Sequence, residues 1–315
     1  MIGPVLQHQD LRNLPRIAPK PSHEERRLNR HPQNALAYNG SPDPLLPVRM
    51  LSAAVSMPSP TQTFAGMSES DACGGCLPPD TDGDVGSNYY IQSVNSSIRI
   101  HDKSGNVLSG PITYNSFFSA LGSSTPCGNN QNDGDGVVFY DHIADRWVVS
   151  DFAFPRFPGN GPFYQCIGVS KTSNPVAGGW YLYALQVDPA NTKYLGDYPK
   201  FGLWPDAYYL TMNEFSGTSN SNVSFQGVRV YALDRNSMVN GGSTNAIGFS
   251  ILQADLGDQY SLLHATFRAG SAPPVGQPEW IMSIDSPGSG NTVLSHVYVR
   301  RFHVDFSPKK RLPHS

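Results

Sequence analysis

The segment Asn88-Tyr-Tyr-Ile-Gln-Ser-Val-Asn95 decides the fold, because the chain uses it again. Ala207-Tyr-Tyr-Leu-Thr-Met-Asn213 repeats it closely, and Glu279-Trp-Ile-Met-Ser-Ile-Asp285 repeats it more loosely. Each copy is followed by an alternating run that closes on Asp: Ile98-Arg-Ile-His-Asp102, Val228-Arg-Val-Tyr-Ala-Leu-Asp234 and Val297-Tyr-Val-Arg-Arg-Phe-His-Val-Asp305. Aromatic and β-branched residues in period-two alternation read as strands, and two such runs joined by a loop read as an antiparallel pair. Between the first two copies lies a denser block. Val137-Val-Phe-Tyr-Asp141 and Arg146-Trp-Val-Val-Ser-Asp-Phe-Ala-Phe154 flank a polar four-residue turn, His142 to Asp145, and strands over 163–171 and 180–187 follow. Every connection there is short enough for antiparallel neighbours.

A recurring supersecondary unit of this size predicts the blades of a β-propeller; two packed sheets in a β-sandwich are the alternative. About four units are present, whereas propellers close with roughly four to eight blades, so an incomplete ring is expected. Composition agrees with an all-β chain. The 315 residues include 30 Gly and 27 Pro for turns and 15 Tyr with 15 Phe for packing, and only 15% are charged. The one helical turn expected is Asp234 to Val239. Residues 1–60 show no sustained periodicity and are expected to be an extended or disordered lead-in; 61–306 form the propeller-like domain, and 307–315 a basic tail.

The net charge of -3 gives no overall attraction to nucleic acid or acidic membranes, and the basic residues near both ends read as solvated termini. No run of about 18 apolar residues spans a membrane. The first twenty-two residues lack the apolar core of an export signal, which leaves a cytoplasmic location or a signal removed or lying upstream.

Candidate chemistry gathers in Cys73-Gly-Gly-Cys76-Leu-Pro-Pro-Asp80-Thr-Asp82-Gly-Asp84. The Asp80, Asp82, Asp84 alternation has the 1, 3, 5 spacing of a calcium loop. Val85 and Ile91 stand where an EF-hand needs Gly and Glu, so only a looser Ca²⁺ site is expected, against carboxylates that cap a turn. Asn129, Asn130, Asn132, Asp133 and Asp135 form a second, weaker oxygen-rich loop before a strand. Cys73 and Cys76 have zinc-ligand spacing but no further ligand pair, and no βαβ context for redox work; a local disulfide or two free thiols is the better reading. Cys127, in a polar loop, and Cys166, in an apolar strand, are either a disulfide or free thiols.

Asp197-Tyr-Pro-Lys-Phe-Gly-Leu-Trp-Pro-Asp206-Ala-Tyr-Tyr is dense in rings. Tyr198, Trp204, Asp206 and Tyr208 are the candidate ligand-binding residues, against core packing. No Walker loop, nucleophile elbow or dinucleotide fingerprint occurs. Paired carboxylates for glycoside hydrolysis remain open, with Asp141, Asp145, Asp151, Asp197, Asp206 and Glu214 nearest the strand ends.

Pro78-Pro-Asp-Thr-Asp-Gly-Asp-Val-Gly-Ser-Asn-Tyr-Tyr-Ile-Gln-Ser-Val-Asn95 resembles the first-blade signature of a group of bacterial, mostly secreted β-propeller proteins of unsettled function. The resemblance continues through Gly134-Asp-Gly-Val-Val-Phe-Tyr-Asp141, Ala144-Asp-Arg-Trp147, Gln165-Cys-Ile-Gly-Val-Ser170 and Asp197-Tyr-Pro-Lys-Phe-Gly-Leu-Trp-Pro-Asp206, and ends at Phe302-His-Val-Asp305. Such proteins carry an export signal and extend past that last motif. The resemblance therefore implies an incomplete propeller, an extracytoplasmic location and a Cys127–Cys166 disulfide. It implies no catalytic residues. The expected function is an extracytoplasmic binding or interaction scaffold for carbohydrate, peptide or protein, with a glycan-directed hydrolase as the alternative.

Overall fold

A computed structural model describes residues 1–20, 58–76, 78–257, 259, 261–284 and 296–306. The expected C-terminal tail, most of the lead-in and Asp285 lie outside them. Sixteen strands are described. β1 (Ile2–Gln7) comes first. The first sheet holds β2 (Thr81–Val85), β3 (Tyr89–Val94), β4 (Ser97–Asp102) and β5 (Val107–Thr113). The second holds β6 (Asn132–Asp141), β7 (Arg146–Ala153), β8 (Tyr164–Ser170) and β9 (Trp180–Gln186), the third β10 (Leu195–Leu203), β11 (Ala207–Ser216), β12 (Ser224–Asp234) and β13 (Ala246–Leu252), and the fourth β14 (Leu263–His264), β15 (Glu279–Ile284) and β16 (Val297–Phe302). All pairings are antiparallel between consecutive strands, except that β1 adds to β9. The protein is all-β, built of propeller-like blades.

Each repeated segment is the same pair of strands within its sheet: β3–β4, β11–β12 and β15–β16. The repeat works because alternate side chains serve two different interfaces. Ile91, Ile98 and Ile100 face the second sheet and share a core with Val149, Trp147 and Leu182. A second core joins sheets two and three around Ile167, Tyr183, Tyr208 and Leu210, and a third joins sheets three and four around Tyr209, Val230, Ile281 and Phe302. Four sheets stacked in chain order exclude the two-sheet sandwich.

The two end faces differ. Tyr90, Gln92, Val94 and Arg99 on the outer face of the first sheet are covered by residues 64–73: Phe64 packs on Tyr90 and His101, Gln92 accepts from the Met67 amide, and Arg99 pairs with Asp71. A short helix, Glu69–Ala72, closes this cover with a capping box on Ser68 and the Cys73–Cys76 disulfide. On the fourth sheet, Leu263, Met282, Ile284, Val297 and Val299 stay half-exposed on the face turned from the third.

The lead-in expected over residues 1–60 needs correction at its start. Val5, Leu6 and Gln7 pair with Leu182, Tyr181 and Trp180, making β1 the fifth strand of the second sheet. Gly3 and Pro4 break up its alternation, which hid a six-residue strand that only β9 stabilises. The chain then crosses to the first sheet, where Leu11 is buried and the Ile17 amide donates to Ser116.

Two locks between elements are testable. Cys127, on a buried turn, is bonded to Cys166 at the centre of the second sheet. Closing a loop of that length lowers the entropy of the unfolded chain by about 4 kcal/mol equivalent. Replacing both cysteines by alanine is expected to reduce unfolding free energy by roughly that amount in urea titrations. The second lock is Asp141, fully buried at the end of β6. Its carboxylate accepts from the Ile143 and Ala144 amides, from the Tyr208 hydroxyl at 2.7 Å, and from Arg235 Nε and Nη2 at 2.7 and 2.9 Å. It thus caps the hairpin turn and ties sheet two to the one-turn helix after β12. Asp141→Ala strands a buried guanidinium, so a loss of about 3–5 kcal/mol is expected in the same titration.

Candidate functional site

Where the sheets converge, the first strand of each lies beside the first strand of the next: β2 by β6, β6 by β10, β10 by β14. All four segments carry a non-glycine residue in the left-handed backbone region: Asp80 (φ 37°), Asp135 (φ 51°), Tyr198 (φ 54°) and Ser261 (φ 54°). Side chains rarely accept this conformation, and a bulky Tyr ahead of Pro199 accepts it least. In β6 and β10 it coincides with register shifts, between Gly134 and Val137 and between Asp197 and Lys200. Such bulges re-aim side chains. The sequence carries no local signal for Tyr198 in this state.

The aspartate alternation sits here in a strand. Period two turns Asp82 and Asp84 to the same face, toward the second sheet. Asp82 Oδ2 accepts from the Val138 amide at 2.8 Å and Asp84 Oδ2 from the Tyr140 amide at 2.7 Å. The carboxylates thus satisfy amides on the edge of β6 that meet no strand. Arg268, following β14, pairs with Asp84 at 2.7 Å and links the fourth sheet to the first. Among the described residues no three His, Cys, Asp or Glu side chains are grouped to hold a metal ion.

A second set of charges meets around β10. Burial pushes the Asp197 carboxyl up to about 6, the neighbouring Asp80 charge adds to this, and Lys200 opposes it. Burial likewise raises Asp82, with Lys200 again opposing. The Lys200 ammonium lies 3.8 Å from the Tyr198 ring centroid, and Tyr198 is 46% exposed. Lys20 pairs with Asp133 at 3.1 Å beside the buried Asp151, which burial and the Asp133 charge hold well above the usual carboxylate range. Asp80, Asp82 and Asp197 therefore converge from different sheets with Lys200 and one open ring, while Lys20, Asp133 and Asp151 form a separate group.

The four expected ligand residues separate. Tyr198 lies at this cluster. Trp204, Asp206 and Tyr208 lie toward the other end of β10, roughly 20 Å along an extended strand. Trp204 is buried and donates to the Gln277 carbonyl, Asp206 accepts from the Tyr209 hydroxyl, and Tyr208 is the buried donor to Asp141. Of the other strand-end acids, Asp145 accepts from the Tyr140 hydroxyl, and Glu214 accepts from Ser250 while burial pushes it up to about 7. Only Asp197 belongs to the cluster. Lys200 and Asp80 join it because the sheets converge, which no motif announces. Cys73, Cys76, Cys127 and Cys166 are all in disulfides.

No protein-family model and no curated protein sequence matches the chain. Two solved structures are similar at 12% identity. One is an exo-1,5-alpha-L-arabinanase from a bovine ruminal metagenomic library, with a TM-score of 0.25, covering 70% of this chain and 92% of that one. The other is an alpha-L-arabinofuranosidase from Lactobacillus brevis, with a TM-score of 0.24, covering 70% and 89%. Likeness at this level carries no functional argument.

Asp82 and Asp84 bond the Val138 and Tyr140 amides directly. Thermal melts with and without a calcium chelator are expected to coincide, whereas Asp82→Ala with Asp84→Ala is expected to cost about 2–5 kcal/mol by leaving two amides without acceptors. A chelator-induced drop in melting temperature overturns this account.

Proposed function

We propose that the protein is a glycan-directed hydrolase acting outside the cytoplasm, with its site at the convergence of β2 and β10. One observation carries the reading: Asp80 and Asp197, from different sheets, face each other electrostatically, and the second is pushed up to about 6. A carboxyl whose proton is held to about pH 6, beside a second carboxyl, can supply a general acid to a glycosidic bond. Protonated Asp197 donates to the departing glycosidic oxygen as that C–O bond breaks, while the Asp80 carboxyl is the group placed to take the proton of the attacking water. Tyr198 offers the sugar ring an apolar face. The extracytoplasmic part rests on Cys127–Cys166, a buried disulfide of the kind that persists in oxidising compartments.

A second reading, a glycan-binding scaffold, is favoured by Tyr198 itself, exposed beside a cation with no need of catalysis. Measuring reducing ends released from neutral and acidic polysaccharides separates the two. For the hydrolase, Asp197→Asn lowers release by about a hundredfold or more. Because the acid must be protonated, activity holds below about pH 6 and falls as pH rises through it. No release by the native protein, with glycan-array binding lost in Tyr198→Ala, establishes the scaffold. Empty results in both assays reject both readings.

A further inference from the structure

Away from the convergence, a groove of about 350 Å³ runs between the turn at Leu11–Asn13 and the outermost strand of the first sheet, β5. Leu11, Leu14, Val107 and Ile112 give it apolar walls, and Arg16 and Ser109 supply polar groups. Its volume lies in the range of small-ligand sites. Its walls are fixed. Leu11 is buried and its amide donates to the Val176 carbonyl at 2.9 Å, the Ile17 amide donates to Ser116 Oγ at 2.7 Å, and Thr113 Oγ1 donates to the Ile17 carbonyl at 2.5 Å.

Three features of this groove are unused by the fold. The outer edge of β5 pairs with no strand among the described residues. Ser109 is only 5% exposed, yet its Oγ has no hydrogen-bond partner there. Arg16 is exposed and makes no ion pair among the described residues, whereas neighbouring Arg12 is already held by Asp10. An open strand edge is a template for an added strand. Pro111 lacks an N–H and ends the usable edge, so the template is Val107 to Gly110.

We propose that this groove binds an acidic peptide in extended conformation, by strand addition along Val107–Gly110. The peptide backbone pairs with the edge, one polar group bonds Ser109 Oγ, its apolar side chains lie on Leu14 and Val107, and a carboxylate reaches Arg16. Arg16 sets the preference for acidic over basic ligands. The site is independent of the acid cluster and of the hydrolase reading.

Fluorescence polarisation with two labelled hexapeptides tests it. Both alternate valine and threonine; one ends in two glutamates and the other in two lysines. The native protein is expected to bind the glutamate peptide about tenfold or more tightly than the lysine peptide, with the difference shrinking as salt rises. Arg16→Glu, at an exposed position, is expected to reverse the preference, and Val107→Asp to weaken both peptides. Far-ultraviolet circular dichroism on both variants checks that the sheets remain. Equal binding of the two peptides, binding of neither, or an unchanged preference in Arg16→Glu overturns the proposal.

Discussion

Two short hydrogen bonds, from the Val138 and Tyr140 amides to Asp82 and Asp84, set the terms for the whole assembly. A sheet stacked face to face with the next leaves its first strand with an unpaired edge, and buried amides without acceptors are costly. Here the neighbouring sheet supplies carboxylates in place of another strand. That substitution lets the first and second sheets pack through Ile91, Ile98 and Trp147 without forming one continuous sheet. Asp141 does comparable work at the next boundary, where one buried carboxylate satisfies a turn, a tyrosine and a guanidinium from two sheets. The buried Asp141 carboxylate is tolerated because it has several donors.

The same construction creates the candidate site. Strands that meet edge to edge bring their side chains together where the sheets converge, and the left-handed residues on all four aim those side chains away from the regular pleat. Backbone strain of this kind persists when its surroundings over-determine it, and it gathers at functional positions. Asp80 and Tyr198 are strained positions and also members of the cluster. The burial that raises Asp197 therefore follows from the packing of the sheets.

Much of the fold was legible because its signals are local. Aromatic-led alternation marked β3, β11 and β15, the polar run His142 to Asp145 marked the β6–β7 turn, and Asp234 announced the helix it caps by accepting from the Ser237 amide. Where local signals fell short, a partner elsewhere in the chain decided the structure. Ile2–Gln7 becomes a strand only against β9. Asp82 and Asp84 lie in a strand, and their acids reach the edge of a neighbouring sheet. Trp204 and Tyr208, grouped with Tyr198 by ring density, are held apart from it by the length of β10 and buried in two different cores.

The sequence by itself determined which segments are strands, that they recur as one unit, and which faces are apolar, since period-two alternation and turn chemistry act over a few residues. Only the tertiary structure decided which carboxylates meet. The Asp80 charge acts on Asp197, and Asp82 faces the edge of β6, because separate sheets converge there. A carboxylate's proton affinity depends on the burial and charges that neighbouring sheets bring to it, and those distances are not written in the spacing of residues along the chain.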